Sequence, residues 1–175
     1  MSARRNSRTS LPGLLFSALL ILAGLTIAAS GQTATGNPDL NGTWKLNTTK
    51  SEFSPAPQPS SQTEVISVAG DTITVAFTSA AEDGRQKYTY TLKLGARETP
   101  LPKPEVNETA LSIVGAKAEW KNAALVVSQT ITYQGGPGTI VSTYTLSADG
   151  KTLTKTMNVA IDQGNFELKA VYDKA

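Results

Sequence analysis

Three polar residues interrupt runs that otherwise alternate cleanly between apolar and polar positions. Gln129 stands between Val127 and Ile131, Ser142 between Ile140 and Tyr144, and Lys155 between Leu153 and Met157. An amide or ammonium on an apolar face costs several kcal/mol, on the order of 2–7, unless something pairs with it. Each of the three therefore points to water, to a partner side chain or to the head group of a ligand. A lysine so placed can hold a carboxylate, turn outward at a local bulge, or cover an aromatic ring as a structural cation. The same faces carry Tyr88, Tyr90, Trp120, Tyr133 and Tyr144. A tyrosine brings apolar area and one hydroxyl that needs a partner, which suits a pocket wall and a polar-tipped core equally. Tyr88, Tyr90, Trp120, Gln129, Tyr133, Ser142, Tyr144 and Lys155 are the candidate ligand-binding residues.

The residue types that are missing narrow the chemistry. The chain of 175 residues has neither His nor Cys. A Ser-His-Asp triad, a cysteine nucleophile, a disulfide and the ordinary zinc, haem and iron–sulfur sites are excluded. No catalytic residue, metal ligand or cofactor is assigned. Carboxylate pairs and a desolvated lysine remain possible tools. Most acids fall in turns, such as Glu82, Asp83, Asp149 and Asp162, or on outward faces and strand ends, such as Glu119, Glu167 and Asp173. Glu64, which alternates with Ile66 and Val68, is the one acid placed to face inward. A single carboxylate is not a mechanism, and the chain is expected not to be an enzyme.

The elements that would position these residues are strands. Period-two alternation recurs in runs rich in Thr, Val, Ile, Tyr and Phe, divided by Gly, Asp and Asn turns, and no segment shows a helical stripe. Strands are expected over 42–46, 63–68, 72–78, 86–94, 124–133, 139–147, 152–159 and 166–173, with one strand or two short ones over 110–121. Residues 48–53 suit a single helical turn. Pro55, Pro57 and Pro59 make an extended loop, and 95–107, with Pro100, Pro102 and Pro104, is the longest irregular stretch and a candidate lid. Eight or nine sequential antiparallel strands favour an up-and-down β-barrel of about eight strands, because a long meander otherwise leaves exposed edges. A β-sandwich is the alternative architecture.

Residues 1–31 read as an export signal rather than as part of the fold. Arg4, Arg5 and Arg8 precede the uncharged run Leu14–Leu25, and Ala28-Ala29-Ser30-Gly31 supplies a small-residue exit. The Arg4-Arg5 pair leaves general and twin-arginine export both open. A 32–39 flexible lead-in and a 40–175 barrel domain complete the organisation. The whole chain has 16 Lys+Arg against 14 Asp+Glu; without the three arginines of the signal, 13 basic residues face 14 acidic ones, a net charge of −1. No clustered basic face remains for a phosphate backbone, so nucleic acid is not an expected partner. Stable membrane insertion is not expected after signal cleavage, and a protein partner is not identified. The expected location is the periplasm or the extracellular space.

Gly42-Thr43-Trp44 at the head of the first strand, with about eight antiparallel strands in one domain, resembles the lipocalin and fatty-acid-binding barrels. Leu40–Asn47 with Lys50-Ser51 and Phe53, the Trp120 strand, Leu146–Thr154 and Val171–Lys174 resemble small exported bacterial lipocalin-like proteins of unassigned function. The resemblance implies that Trp44 closes the barrel bottom beneath a basic side chain from a late strand, Lys155 or Lys169. It also implies an interior able to hold a small, mostly apolar ligand, which Lys155 would suit if it carried an acid group. A filled barrel serving as a structural or protein-interaction module of the cell envelope is the competing function, and an enzyme using carboxylate or lysine chemistry the third. Interior volume separates the first two.

Overall fold

A computed structural model describes residues 36–175. The expected signal at 1–31, and part of the lead-in, lie outside the described residues. The chain from Gly36 onward is built from antiparallel strands in one continuous sheet: β1 (Gly42–Leu46), β2 (Ser61–Ala69), β3 (Thr72–Ala81), β4 (Gly84–Lys93), β5 (Thr99–Pro100), β6 (Val106–Asn107), β7 (Leu111–Lys121), β8 (Ala124–Tyr133), β9 (Gly136–Leu146), β10 (Thr152–Ile161) and β11 (Gly164–Lys174). Eleven strands stand where eight or nine are expected. Nine are the meander, and the two additional strands are two-residue pairings inside the proline-rich stretch, where no alternation exists to announce them.

The strands run in the order β5-β7-β8-β9-β10-β11-β1-β2-β3-β4-β6, so the first strand sits between the last and the second. Trp44 pairs with Lys174 on one side and with Glu64 on the other. This arrangement curls the meander until β4 and β7 approach each other. Nine alternating strands leave these two running in the same direction, so an antiparallel ladder cannot close the seam. One parallel bridge, Leu94 with Ala118, and a hydrogen bond from the Gly95 amide to the Ala118 carbonyl at 2.7 Å close it at one end.

The stretch between β4 and β7 runs along this seam as a strap. Thr99 and Pro100 pair with Ala116 and Gly115 on β7, while Val106 and Asn107 pair with Lys87 and Gln86 on β4. Leu101 packs on the core, and Lys87 meets Glu105 at 2.6 Å. A β-bulge between Ile113 and Gly115 bends β7 beneath it and leaves Val114 exposed.

Side chains on alternate positions of every long strand form one core. At one end Trp44 and Leu40 are fully buried, and the Trp44 indole donates to the Leu40 carbonyl at 2.9 Å. The cation over Trp44 is Lys174, whose Nζ lies 5.2 Å from the ring centroid, rather than Lys155 or Lys169. The register explains the difference: Lys174 is the β11 residue opposite Trp44, whereas Lys155 lies deeper on β10. Gly42 has φ +140°, and a Cβ there would approach Lys174 Cε to 3.0 Å, so a glycine at this point lets the lysine lie over the indole. Replacing Lys174 with Gln is expected to cost about 0.5–1 kcal/mol, the usual size of an exposed cation–π contact. Urea unfolding followed by tryptophan emission measures it.

Candidate functional site

The interior is layered by register. On β2 and β3, Gln62 faces Ser79, Glu64 faces Phe77 and Ile66 faces Val75, and β4 adds Tyr88 beside Phe77 and Tyr90 beside Val75. The ring centroids of Phe77 and Tyr88 are 4.6 Å apart and those of Tyr88 and Tyr90 5.8 Å, both pairs stacked. Across the barrel, β10 carries Val159, Met157, Lys155 and Leu153 inward in that order, against Ile140, Ser142 and Tyr144 of β9.

A charged network occupies the middle layers. Lys155 Nζ lies 2.7 Å from Glu64 Oε1, with the two side chains 9% and 0% exposed. The Tyr172 hydroxyl donates to Glu64 Oε1 at 3.0 Å and the Tyr144 hydroxyl to Oε2 at 3.1 Å. Lys155 Nζ also lies 5.1 Å from the Tyr144 ring centroid and 5.6 Å from that of Phe77. A carboxylate with one ammonium and two phenols has its charge and its lone pairs answered without water. Burial pushes the hydroxyls of Tyr88, Tyr90, Tyr144 and Tyr172 above the ordinary phenol range, and the Glu64 charge adds to the effect at each. These phenols are donors, not acids, at neutral pH.

Above this network the barrel opens into a cavity of about 370 Å³. Its wall is apolar where the strands supply it, through Phe77, Ile140, Met157, Val159, Phe166 and Leu168. The loop that carries Phe53, Pro55, Pro57 and Pro59 forms its cover, and the β3–β4 and β10–β11 turns form its rim. The loop follows a turn at Asn47–Lys50 and is then held by mutual backbone hydrogen bonds between Glu52 and Lys169, each 2.7 Å. At the floor stands Gln62, 7% exposed, which donates through Nε2 to the Tyr172 hydroxyl.

Of the candidate residues, Tyr133 lines this cavity. Tyr88 and Tyr90 border a second hollow of about 20 Å³ beneath Leu101, Pro102 and Pro104, roughly the space of a single water. Tyr144 and Lys155 belong to the buried network below the cavity. Gln129 and Ser142 are buried, Trp120 is half-buried, and the Ser142 hydroxyl has no hydrogen-bond partner among the described residues. Sequence reasoning missed Gln62 because it began the second strand at Thr63, two residues after its start at Ser61, although Gln62, Glu64 and Ile66 share one alternation.

No protein-family model and no curated protein sequence matches the chain. Solved structures similar to it include a zebrafish ileal bile acid-binding protein complexed with cholic acid, at 17% identity and TM-score 0.49, covering 77% of this chain and 98% of that one. A Schistosoma mansoni fatty acid binding protein in complex with arachidonic acid follows at 14% identity and TM-score 0.44, with 77% and 95% covered. Secretory abundant heat soluble protein 4 from Ramazzottius varieornatus aligns at 13% identity and TM-score 0.47, with 77% and 94% covered.

Two carboxylates stand at or below the cavity. Asp83 stands at the rim, and the buried carboxylate, Glu64, is engaged by three donors. Lys155, the residue expected to meet a ligand acid, spends its charge on Glu64 and is not part of the cavity wall. The chamber is apolar, with a few polar groups at its floor and rim.

Proposed function

We propose that this chain binds a small, mostly apolar molecule reversibly in the cavity at the open end of its barrel-like sheet. The carrying observation is the volume of about 370 Å³ with its apolar wall. Protein interiors are packed to about 0.75 of their volume with few voids larger than a water, and ligand pockets begin near 300 Å³. A filled barrel that acts only through its outer faces would have side chains where this chamber lies. The proposal includes export, which rests on the pattern of residues 1–31, and a non-catalytic role, which rests on the engaged state of Glu64.

Prodan, a small neutral dye whose emission shifts in apolar surroundings, tests the reading. Saturable one-to-one uptake is expected. Val159, on the cavity wall and 6% exposed, is the position to fill. Val159→Trp is expected to weaken dye binding at least about tenfold while costing no more than about 1–3 kcal/mol in stability, as an overpacked site does. Undiminished uptake by a folded Val159→Trp protein, or no uptake by the parent, contradicts the proposal.

A further inference from the structure

The buried network does more than neutralise itself, because it determines which face of the Gln62 amide the cavity sees. Glu64 can only accept hydrogen bonds, so the single proton of the Tyr172 hydroxyl is committed to Glu64 Oε1 at 3.0 Å. Toward Gln62 the phenol oxygen must then accept, and Gln62 must present Nε2 to it. Its Oε1 is left without a hydrogen-bond partner among the described residues, yet it is not shut away from open space as the Ser142 hydroxyl is. Gln62 lines the cavity, and an unpartnered oxygen with open space beside it there is an acceptor for whatever the chamber holds.

Three further features agree on the sign of this site. Lys155 is paired with Glu64 and stands off the wall, so no ammonium meets a ligand at the floor. Asp83 on the rim adds carboxylate oxygens to the same side of the balance. Ser79, beside Gln62 on the same floor, can donate or accept and does not discriminate.

We propose that the cavity selects uncharged apolar molecules whose buried end carries a hydrogen-bond donor, such as an alcohol or a secondary amide, and disfavours carboxylates. This inference rests on the cavity being a binding site and names the class of molecule it takes. A carboxylate brings acceptors to an acceptor and a charge to a floor with no free cation. An ammonium would donate, but it would be stripped of water in an apolar chamber with no carboxylate of its own at the floor.

Isothermal titration calorimetry with 1-octanol, methyl octanoate and octanoate tests it, since the three share a chain and differ at the head. The alcohol is expected to bind about tenfold tighter than the ester, the value of one well-made hydrogen bond. Octanoate is expected to bind more weakly than the alcohol by at least the same factor at about pH 8, and to gain on it toward about pH 5 as the acid becomes a donor. In Gln62→Leu the alcohol and ester are expected to bind alike, with the ester no weaker than in the parent. Equal affinities for all three heads in the parent, or tightest binding of octanoate at high pH, overturn the donor preference and leave the cavity reading standing. Absence of binding by all three, with no prodan uptake, overturns both. The ranking in the parent protein is decisive by itself, so the outcome does not depend on the stability of the variant.

Discussion

Glu64→Leu is expected to destabilise the fold by about 3–5 kcal/mol, because it strands Lys155 as an unpaired buried ammonium and removes the acceptor of two buried phenols. Lys155→Met is expected to cost less. Glu64 then retains the donors of Tyr144 and Tyr172, and a methionine fills the space of the lysine stem beside Phe77. The double variant, Glu64→Leu with Lys155→Met, is expected to be more stable than Glu64→Leu alone, since an apolar pair of similar volume carries no desolvation cost. Urea unfolding of the four proteins gives the coupling energy. Strict additivity of the two single costs would mean that the charges do not meet in solution.

Alkaline pH is expected to unfold the protein steeply, and the tyrosines supply the sign. Tyr88, Tyr90, Tyr144 and Tyr172 are all raised above the ordinary value of 10.0 by burial first and by neighbouring charge second. Above about pH 10 the unfolded chain loses these protons and the folded chain keeps them, so the unfolded state binds fewer protons and stability falls as pH rises. Below pH 10 their contribution is fully present. Each phenol contributes about 1.4 kcal/mol per pH unit once the unfolded form titrates, so four together give a slope of about 5 kcal/mol per unit. Tyrosinate absorbance should therefore rise in one cooperative step coincident with loss of the β circular dichroism signal. Gradual ionisation of these tyrosines near pH 10 in a folded protein would show that the phenols are open to water.

How much of this was visible in the sequence differs element by element. The alternation Leu153, Lys155, Met157 made an inward lysine one of its readings, beside an outward turn at a bulge or a cover over Trp44, and Glu64, Ile66, Val68 allowed an inward acid, so both partners of the buried pair were legible as candidates. Their meeting was not, because it depends on β2 and β10 facing each other across 91 residues of chain, and alternation says nothing about which faces oppose. The hairpins at Gly70, Gly150 and Gly164 were readable from turn chemistry, and each glycine has positive φ. The helical turn expected at 48–53 is a turn at Asn47–Lys50 followed by a bridge from Glu52 to Lys169. Residues 95–107 are legible only as the longest irregular stretch and a candidate lid; their pairings to β4 and β7 involve backbone groups that sequence pattern does not report. Lys174 was overlooked as the cover of Trp44 because β11 runs to the penultimate residue. The cavity itself is a volume left between elements, and no residue type encodes it.

The strap along the β4–β7 seam and the loop over the open end cover different parts of the barrel-like sheet. The seam is held by paired backbone and by Leu101, whereas the end loop covers a chamber large enough for a ligand.

The central claim is that a small apolar molecule occupies this particular chamber. Methyl-selective nuclear magnetic resonance during titration with 1-octanol tests it most directly. The account predicts saturable shifts at Ile140, Met157, Val159, Ile161 and Leu168, which line the cavity, and little change at Ile73, Leu92 and Leu153, which lie in the packed core away from it. Shifts spread over the outer faces, or no saturable shift at the cavity methyls, would contradict it.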